Sequence, residues 1–320
     1  MSASTNLSAG NRNEGTVARR SRMRRTPLGK RLALTARDIE IFRRLAQYRY
    51  LPSTYLHVFA GGASETRFKE RLGDLFHEGF IDRPAQQWQF AQARYAPVIY
   101  ELGERASRVL AECENIDGAT RTFLAHSGHR QFEHSLTICQ LLASVELAAK
   151  ARSNLRFIPW PEILARAPEA AKTATIPFRI PVPSGGAVVP DAIFGLEYGS
   201  QEKRAYRFFA LEVDRGTMPA VRTSGKHTSY LGKLALYRDL ISQQVYRSHF
   251  GVPNLFVLTV TMNRAHLETI LHALGGQNGD GARFLFKAMS GGTRALTVPA
   301  LSILFEPWER SGLLPLKIDE

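Results

Sequence analysis

The sequence predicts a chain of mixed α/β class, with two folded units behind a basic arm. Three observations carry this. The chain has 320 residues, 44% of them hydrophobic, too long for one ordinary domain and apolar enough for two cores. Residues 32–112 read as three short helices, a hairpin, a strand and a closing helix. Residues 125–320 read in the order helix, strand, strand, strand, helix, strand, which builds an α/β unit around a mixed central sheet.

Charge comes first because it is unevenly placed. Lys and Arg number 42 against 29 Asp and Glu, a net +13. An excess of that size points to a polyanionic partner, nucleic acid ahead of anionic membrane. Residues 1–31 hold eight bases (Arg12, Arg19, Arg20, Arg22, Arg24, Arg25, Lys30, Arg31) and one acid, Glu14, hence +7. Residues 32–112 carry +1 and the remainder +5. Such a run predicts a disordered arm over 1–31. Arms of this composition gain affinity for phosphates by releasing counterions, so Arg24 and Arg25 are expected DNA contacts.

Two cysteines, Cys113 and Cys139, lack histidines at ligand spacing, which excludes a zinc site built on them and predicts buried free thiols. The polar N-terminus predicts no signal peptide. The longest apolar run, Asn254–Met262, falls far short of the roughly 20 residues a membrane span needs. Together these predict a cytoplasmic protein with no membrane partner.

Within the first unit, Thr35 is an expected N-cap, followed by Ile39, Phe42, Leu45 and Ala46 at helical spacing. Leu51-Pro52-Ser53-Thr54 restarts the chain into a second helix, and Gly61-Gly62 breaks it. A third helix over 63–77 places Phe68, Leu72, Leu75 and Phe76 on one arc, with Thr66 and Arg67 opposite and Lys69 and Arg71 on the flanks. A strand at Phe80–Arg83, a turn at Pro84-Ala85, a strand at Trp88–Phe90 and another at Val98–Leu102 follow. That is the order of a winged helix-turn-helix, which lays its third helix in the major groove of double-stranded DNA and its wing on the backbone. Thr66, Arg67, Lys69 and Arg71 are the expected contacts. The near-neutral charge of the unit leaves protein–protein contact open as an alternative.

In the second unit a helix over 130–150 carries the stripe Phe132, Leu136, Cys139, Ala143, and the next position on it is Glu146. A carboxylate on a buried helical face is either paired or functional. Strand-like Leu155–Ile158 precedes a Pro- and Ala-rich stretch, 160–186, that reads as irregular loop. Val188–Phe194 and Tyr206–Val213 read as a hairpin, Lys226–Tyr246 as a helix, Leu255–Val260 as a buried strand, and 265–274 as a helix. Strands near Phe284 and over Leu301–Phe305 close the unit.

Pro190-Asp191 opens one of these strands and Glu212-Val213-Asp214 ends the next. Two carboxylates at adjacent strand ends are what a hard cation needs to sit against a phosphate. This order and these residues resemble the PD-(D/E)XK nuclease-like fold. The resemblance implies Asp191 and Glu212 as ligands of Mg²⁺, Asp214 or Glu146 as additional acids, and a lysine that stabilises developing charge. The lysine slot two residues after Glu212 holds Asp214, so the pattern is broken. Lys226 and Lys233, on the edge of the stripe Tyr230, Leu234, Tyr237, Ile241, could supply the charge from the following helix, or simply snorkel outward.

With the first unit included, the chain resembles the replication-relaxation family of plasmid and mobile-element proteins. The resemblance rests on Leu34–Leu110, Val189–Ala192, Phe209–Thr217 and Lys233–Tyr237. It implies a DNA-processing context with replication or mobilisation proteins as partners, and a homodimer is compatible with it. Whether the domain cleaves as a Mg²⁺-dependent DNA endonuclease, or is an inactive regulator or replication accessory, stays open at this point. The segment His129–His134 does not place its two histidines on one helical face, so a metalloprotease-like zinc site is excluded.

Overall fold

The computed structural model describes residues 20–89, 93–114, 132–199, 203–214, 230–274, 280–289 and 296–320. The first unit is built from α1 (Ala36–Tyr48), β1 (Leu51–Pro52), α2 (Ser53–Ala60), α3 (Glu65–His77), β2 (Ile81–Asp82), β3 (Ile99–Leu102) and α4 (Glu104–Glu114). Thr35 caps α1 as expected, in a reciprocal box with Asp38. Asp38 is itself buried and also receives Arg71 from α3 at 2.7 and 3.0 Å, which ties the first and third helices together. The three strands form an antiparallel sheet in the order β1-β3-β2.

The strand expected at Trp88–Phe90 does not form. Ala85–Gln89 is a 3₁₀ turn, and Phe90 lies outside the described residues. The cause is Gln87, whose buried side-chain amide accepts from the N–H of Ile99 and donates to its carbonyl. It takes the place a strand backbone would fill beside β3. Gly103 turns the chain from β3 into α4 because a Cβ there would lie 2.6 Å from the Phe80 carbonyl.

The arm differs from expectation over its described part. Residues 20–31 run along the first unit on specific contacts instead of hanging free. Arg20 pairs with Asp74 at 2.6 Å, Arg25 donates to the carbonyls of Phe76 and Ile81 and to Asp82, and the Thr26 N–H meets His77 Nδ1 at 3.0 Å. The carbonyls and acids at the C-terminal end of α3 attract guanidinium groups, so part of the arm's charge is spent on docking.

The second unit has a seven-stranded mixed sheet in the order β12-β11-β10-β9-β8-β7-β4. Its strands are β4 (Leu155–Ile158), β7 (Ala192–Gly199), β8 (Arg204–Asp214), β9 (Phe256–Thr261), β10 (Phe284–Ala288), β11 (Trp308–Arg310) and β12 (Leu313–Leu316). β8, β9 and β10 run parallel, and the outer pairings are antiparallel. A small ribbon of β5 (Ile180–Pro181) and β6 (Ala187–Val188) stands apart, so Val188 belongs to it and not to the central hairpin. α5 (Phe132–Lys150) covers one face of the sheet. α6 (Trp160–Arg166), α7 (Glu169–Lys172), α8 (Tyr230–Ser242), α9 (Val245–Phe250) and α10 (Arg264–Leu274) belong to the other face.

Strand alternation sorts the two faces. Phe209, Leu211 and Val213 of β8 join the α5 side, whereas Phe208 and Ala210 join the α8 side, which sends Glu212 and Asp214 toward α8. The stretch 160–186 is not wholly irregular, because Pro159 and Pro168 sit at the N-caps of α6 and α7, where a missing N–H costs nothing. Leu301–Phe305 is likewise not a strand: α11 (Ser302–Phe305) forms there, ahead of β11 and its fully buried Trp308. Of the two thiols, Cys139 is buried as expected but Cys113 is exposed on α4.

The two units share one continuous core through α5. Tyr55 of α2 meets Ser144 at 3.3 Å and donates to the Val298 carbonyl at 3.0 Å, and Tyr50 packs edge-on to Phe132. Among the described residues no helix is long and apolar enough to cross a membrane.

Candidate functional site

β7 and β8 place two carboxylates side by side. The antiparallel register that pairs Ala192 with Leu211 brings Asp191 opposite Glu212, just where β7 begins and while β8 is still paired with β9. Asp191 Oδ2 accepts the backbone N–H of Val213 at 2.8 Å, and Oδ1 lies 3.1 Å from His134 Nε2. His134 sits in the first turn of α5 and reaches the strand end from the far face of the sheet. From the near face, α8 presents Tyr230, Lys233, Leu234 and Tyr237 at helical spacing. Lys233 Nζ donates to Glu212 Oε2, and the Tyr237 hydroxyl donates to Glu212 Oε1.

The electrostatics follow from this packing. Burial, then the adjacent negative charge of Asp191, push Glu212 up to about 7, against the pull of Lys233 and Tyr237. Asp191 goes the other way. Burial alone would raise it, but the hydrogen bond and charge of His134, with Lys233 behind, hold it below its ordinary value. His134 is raised in return: burial opposes its charge, and Asp191 and Glu212 outweigh that opposition. Lys233 is likewise kept charged by the two carboxylates although burial works against it. The result is two acids beside two bases, in contact through hydrogen bonds.

Asp214 lies two residues farther along the same face of β8, where its Oδ2 is 2.6 Å from His266 Nε2 on α10. The Tyr230 hydroxyl, bonded to Thr259, sits close enough to feel Glu212, Asp214 and Asp191. Among the described residues no group of three or more His, Cys, Asp or Glu side chains has the geometry of a metal site.

Of the candidates read from the sequence, the structure brings together Asp191, Glu212 and Lys233, with Asp214 on the adjoining position. Lys226 lies outside the described residues. Glu146 is elsewhere. It lies twelve residues beyond His134 on α5, about 18 Å along the helix axis. There it accepts from Arg44 at 2.6 Å, Gln47 at 2.9 Å and Tyr48, and pairs with Lys150 at 3.1 Å. It joins α1 to α5 and is no part of the carboxylate cluster.

His134 and His266 were not among the candidates. His134 drew attention only in a failed zinc spacing with His129, a residue outside the described set. Its usable signal is a titratable ring on a helix that is otherwise buried nearly all round. His266 gives no signal, since only the parallel packing of β8 and β9 brings α10 to Asp214.

On the first unit, α3 leaves Thr66, Arg67 and Lys69 exposed. Lys69 pairs with Glu65 at 2.7 Å, and Arg71 is committed to Asp38 and to the Ala33 carbonyl. In the arm, Arg24 is exposed whereas Arg25 is committed to docking. Arg25 and Arg71 therefore hold the unit together, and the side chains placed to meet a partner are Thr66, Arg67, Lys69 and Arg24.

No curated protein and no solved structure matches the chain. The sequence does match a family description, replication-relaxation, over residues 42–255, which takes in α1 from Phe42, the rest of the first unit after it, α5, and the second unit up to the residue before β9. The chain belongs to the replication-relaxation family, a membership that points to replication or relaxation of plasmid or other mobile-element DNA.

Proposed function

We propose that the protein is a DNA-binding factor of a mobile element, whose winged helix-turn-helix holds duplex DNA and whose nuclease-like sheet carries a phosphodiester-cleaving site. The observation that carries this reading is the meeting of Asp191, Glu212 and Lys233 where β7, β8 and α8 converge. The winged-helix half is supported by the order α1, β1, α2, α3, β2, β3, by the strand order β1-β3-β2, and by the exposed polar face of α3.

The donor set suits Mg²⁺, which is commonly held by one or two carboxylates with water and substrate phosphate completing its shell. Asp191 and Glu212 would hold it, each oxygen having a lone pair beyond its protein hydrogen bond. When bound, the ion polarises the phosphoryl oxygen and makes its water acidic. The chain's own groups do the rest. His134 and the Val213 N–H orient Asp191, Tyr237 fixes Glu212, and Lys233 holds positive charge where the phosphate gains negative charge. Asp214, engaged by His266, stands outside this set.

A second reading, an accessory protein that binds DNA without cutting it, is favoured by a different observation. Both oxygens of Glu212 already accept from side chains, and Asp214 occupies the usual lysine position. Supercoiled, linear and single-stranded DNA incubated with Mg²⁺ or Mn²⁺ separates the two. Cleavage that disappears in Asp191→Ala and in Glu212→Ala supports the first reading, and cleavage that survives both substitutions overturns the site. Tight binding with no cleavage under any condition supports the accessory reading.

A further inference from the structure

A groove of about 350 Å³ lies between α3, the start of α2 and the segment 95–100. Its size reaches the lower end of the roughly 300–1,000 Å³ typical of small-ligand sites. It opens on the flank of α3 that carries Lys69, beside the Thr66 and Arg67 face expected to meet duplex DNA. Glu65 and Lys69 border it, whereas Thr66 and Glu70 lie roughly 100° farther round the helix. Among its described lining residues three cations, Arg22, Lys69 and Arg83, face one carboxylate, Glu65.

These cations are positioned by the fold. Arg22 donates to the carbonyls of Arg94 and Ala96 and lies 5.5 Å over the Trp88 ring. Arg83 lies 4.0 Å over Phe76 and donates to the Arg22 carbonyl at 2.8 Å and to the Tyr100 hydroxyl at 3.2 Å. Its buried Nε has no hydrogen-bond partner among the described residues. Among the described residues Lys69 pairs with Glu65, and both are more than half exposed, a pairing weak enough to exchange for a phosphate. At the mouth stands Tyr95, 90% exposed, with its ring presented to solvent.

We infer that this groove takes an unpaired nucleotide of a DNA strand leaving the duplex, with its phosphate among Lys69, Arg22 and Arg83 and its base stacked on Tyr95. The inference rests on the DNA-binding reading of the first unit and adds the strand class. Fixed cations that track a phosphate, beside an aromatic ring that accepts any base face, are the combination used for single strands. A duplex backbone alone requires the cations but gives the exposed ring nothing to stack on.

The test is fluorescence anisotropy on the full chain at one fixed salt concentration, with a blunt duplex and with the same duplex carrying a short single-stranded tail. In the wild type the tail should tighten binding about tenfold, within the range of stacking one base. Tyr95→Ala should abolish that increment, read as the ratio of tailed to blunt-duplex affinity within each variant, and Tyr95→Phe should keep it. 2-Aminopurine placed in the tail should be quenched by the wild type and not by Tyr95→Ala. An equal increment in wild type and Tyr95→Ala overturns the groove, as does blunt-duplex binding with no increment at all. Failure to bind either DNA overturns the DNA-binding reading together with the groove.

Discussion

Glu146 and Glu212 are both buried glutamates, each accepts from a tyrosine hydroxyl and each pairs with basic side chains, yet their surroundings move their protons in opposite directions. Burial acts first on both and raises both. At Glu146 the charge of Arg44, the bond from Tyr48 and the charge of Lys150 more than reverse it, and the carboxyl ends below its ordinary value. At Glu212 the second contribution is the negative charge of Asp191, which adds to burial, and Lys233 with Tyr237 recovers only part, leaving the group near 7. The lesson concerns neighbours more than depth. An acid surrounded by cations joins two units, whereas an acid set against another acid costs stability and is the arrangement expected of a working site.

The largest effect is expected at Lys233. Lys233→Met should slow single-turnover cleavage by about 10²–10³-fold, the usual loss when one group that stabilises developing charge is removed. DNA affinity should stay at the wild-type level. A variant that cuts at the wild-type rate would sever the link between this lysine and the chemistry.

Next comes the opposite glutamate. Glu146→Ala takes from Arg44, whose side chain is 15% exposed, one of its two carboxylate partners and leaves it Glu40 at 2.7 Å. Losing these charged hydrogen bonds should cost about 1.5–3 kcal/mol, to be read as a lowered urea midpoint. A loss below about 1 kcal/mol would mean that the joint between α1 and α5 is held by its apolar contacts alone.

The pH dependence should also divide the pair. Glu212 rises from an ordinary 4.5 to about 7 on folding, so the native state holds its proton more tightly. Its contribution is fully present below 4.5 and is lost as pH rises through 7. Glu212→Gln should therefore gain on the wild type across that window, by at most about 1.4 kcal/mol per pH unit. Glu146 is depressed, so its contribution is present above 4.5 and lost as pH falls through the lower folded value. The deficit of Glu146→Gln should accordingly shrink in acid. Denaturation midpoints between about pH 2 and 8 measure both slopes, and parallel slopes for the two variants would contradict the assignment.

Much of this was legible in the sequence where one local signal suffices. Thr35 marked the start of α1, and apolar runs marked β4, β8 and β9. Asp191 and Glu212 could be paired in advance because a hairpin fixes its own register. What failed depended on partners far along the chain. Glu146 sat on the right stripe of α5, but which residue would meet it, Asp191 or Arg44, is a tertiary fact. His134 needed the crossing of α5 over the β7 end, and Gln87 replaced a strand by satisfying Ile99 through its side chain. Proline misled at 161 and 168, where it stands at the start of helices in place of breaking them.

The smallest expected effect separates two adjacent arginines of the arm, which composition alone cannot distinguish. Arg25 donates to Phe76, Ile81 and Asp82 and packs over the Phe76 ring, so its charge works inside the fold. Arg24 is exposed beside it. Arg24→Ala should reduce the slope of log affinity against log salt by about 0.9, one phosphate's worth of released counterions, with no change in thermal stability. Arg25→Ala should leave the salt slope in place and lower stability by about 1 kcal/mol, the usual worth of such hydrogen bonds. Identical salt slopes for Arg24→Ala and the wild type would mean that the docked part of the arm does not touch DNA. The electrostatic grip would then have to come from α3 and from bases outside residues 20–31.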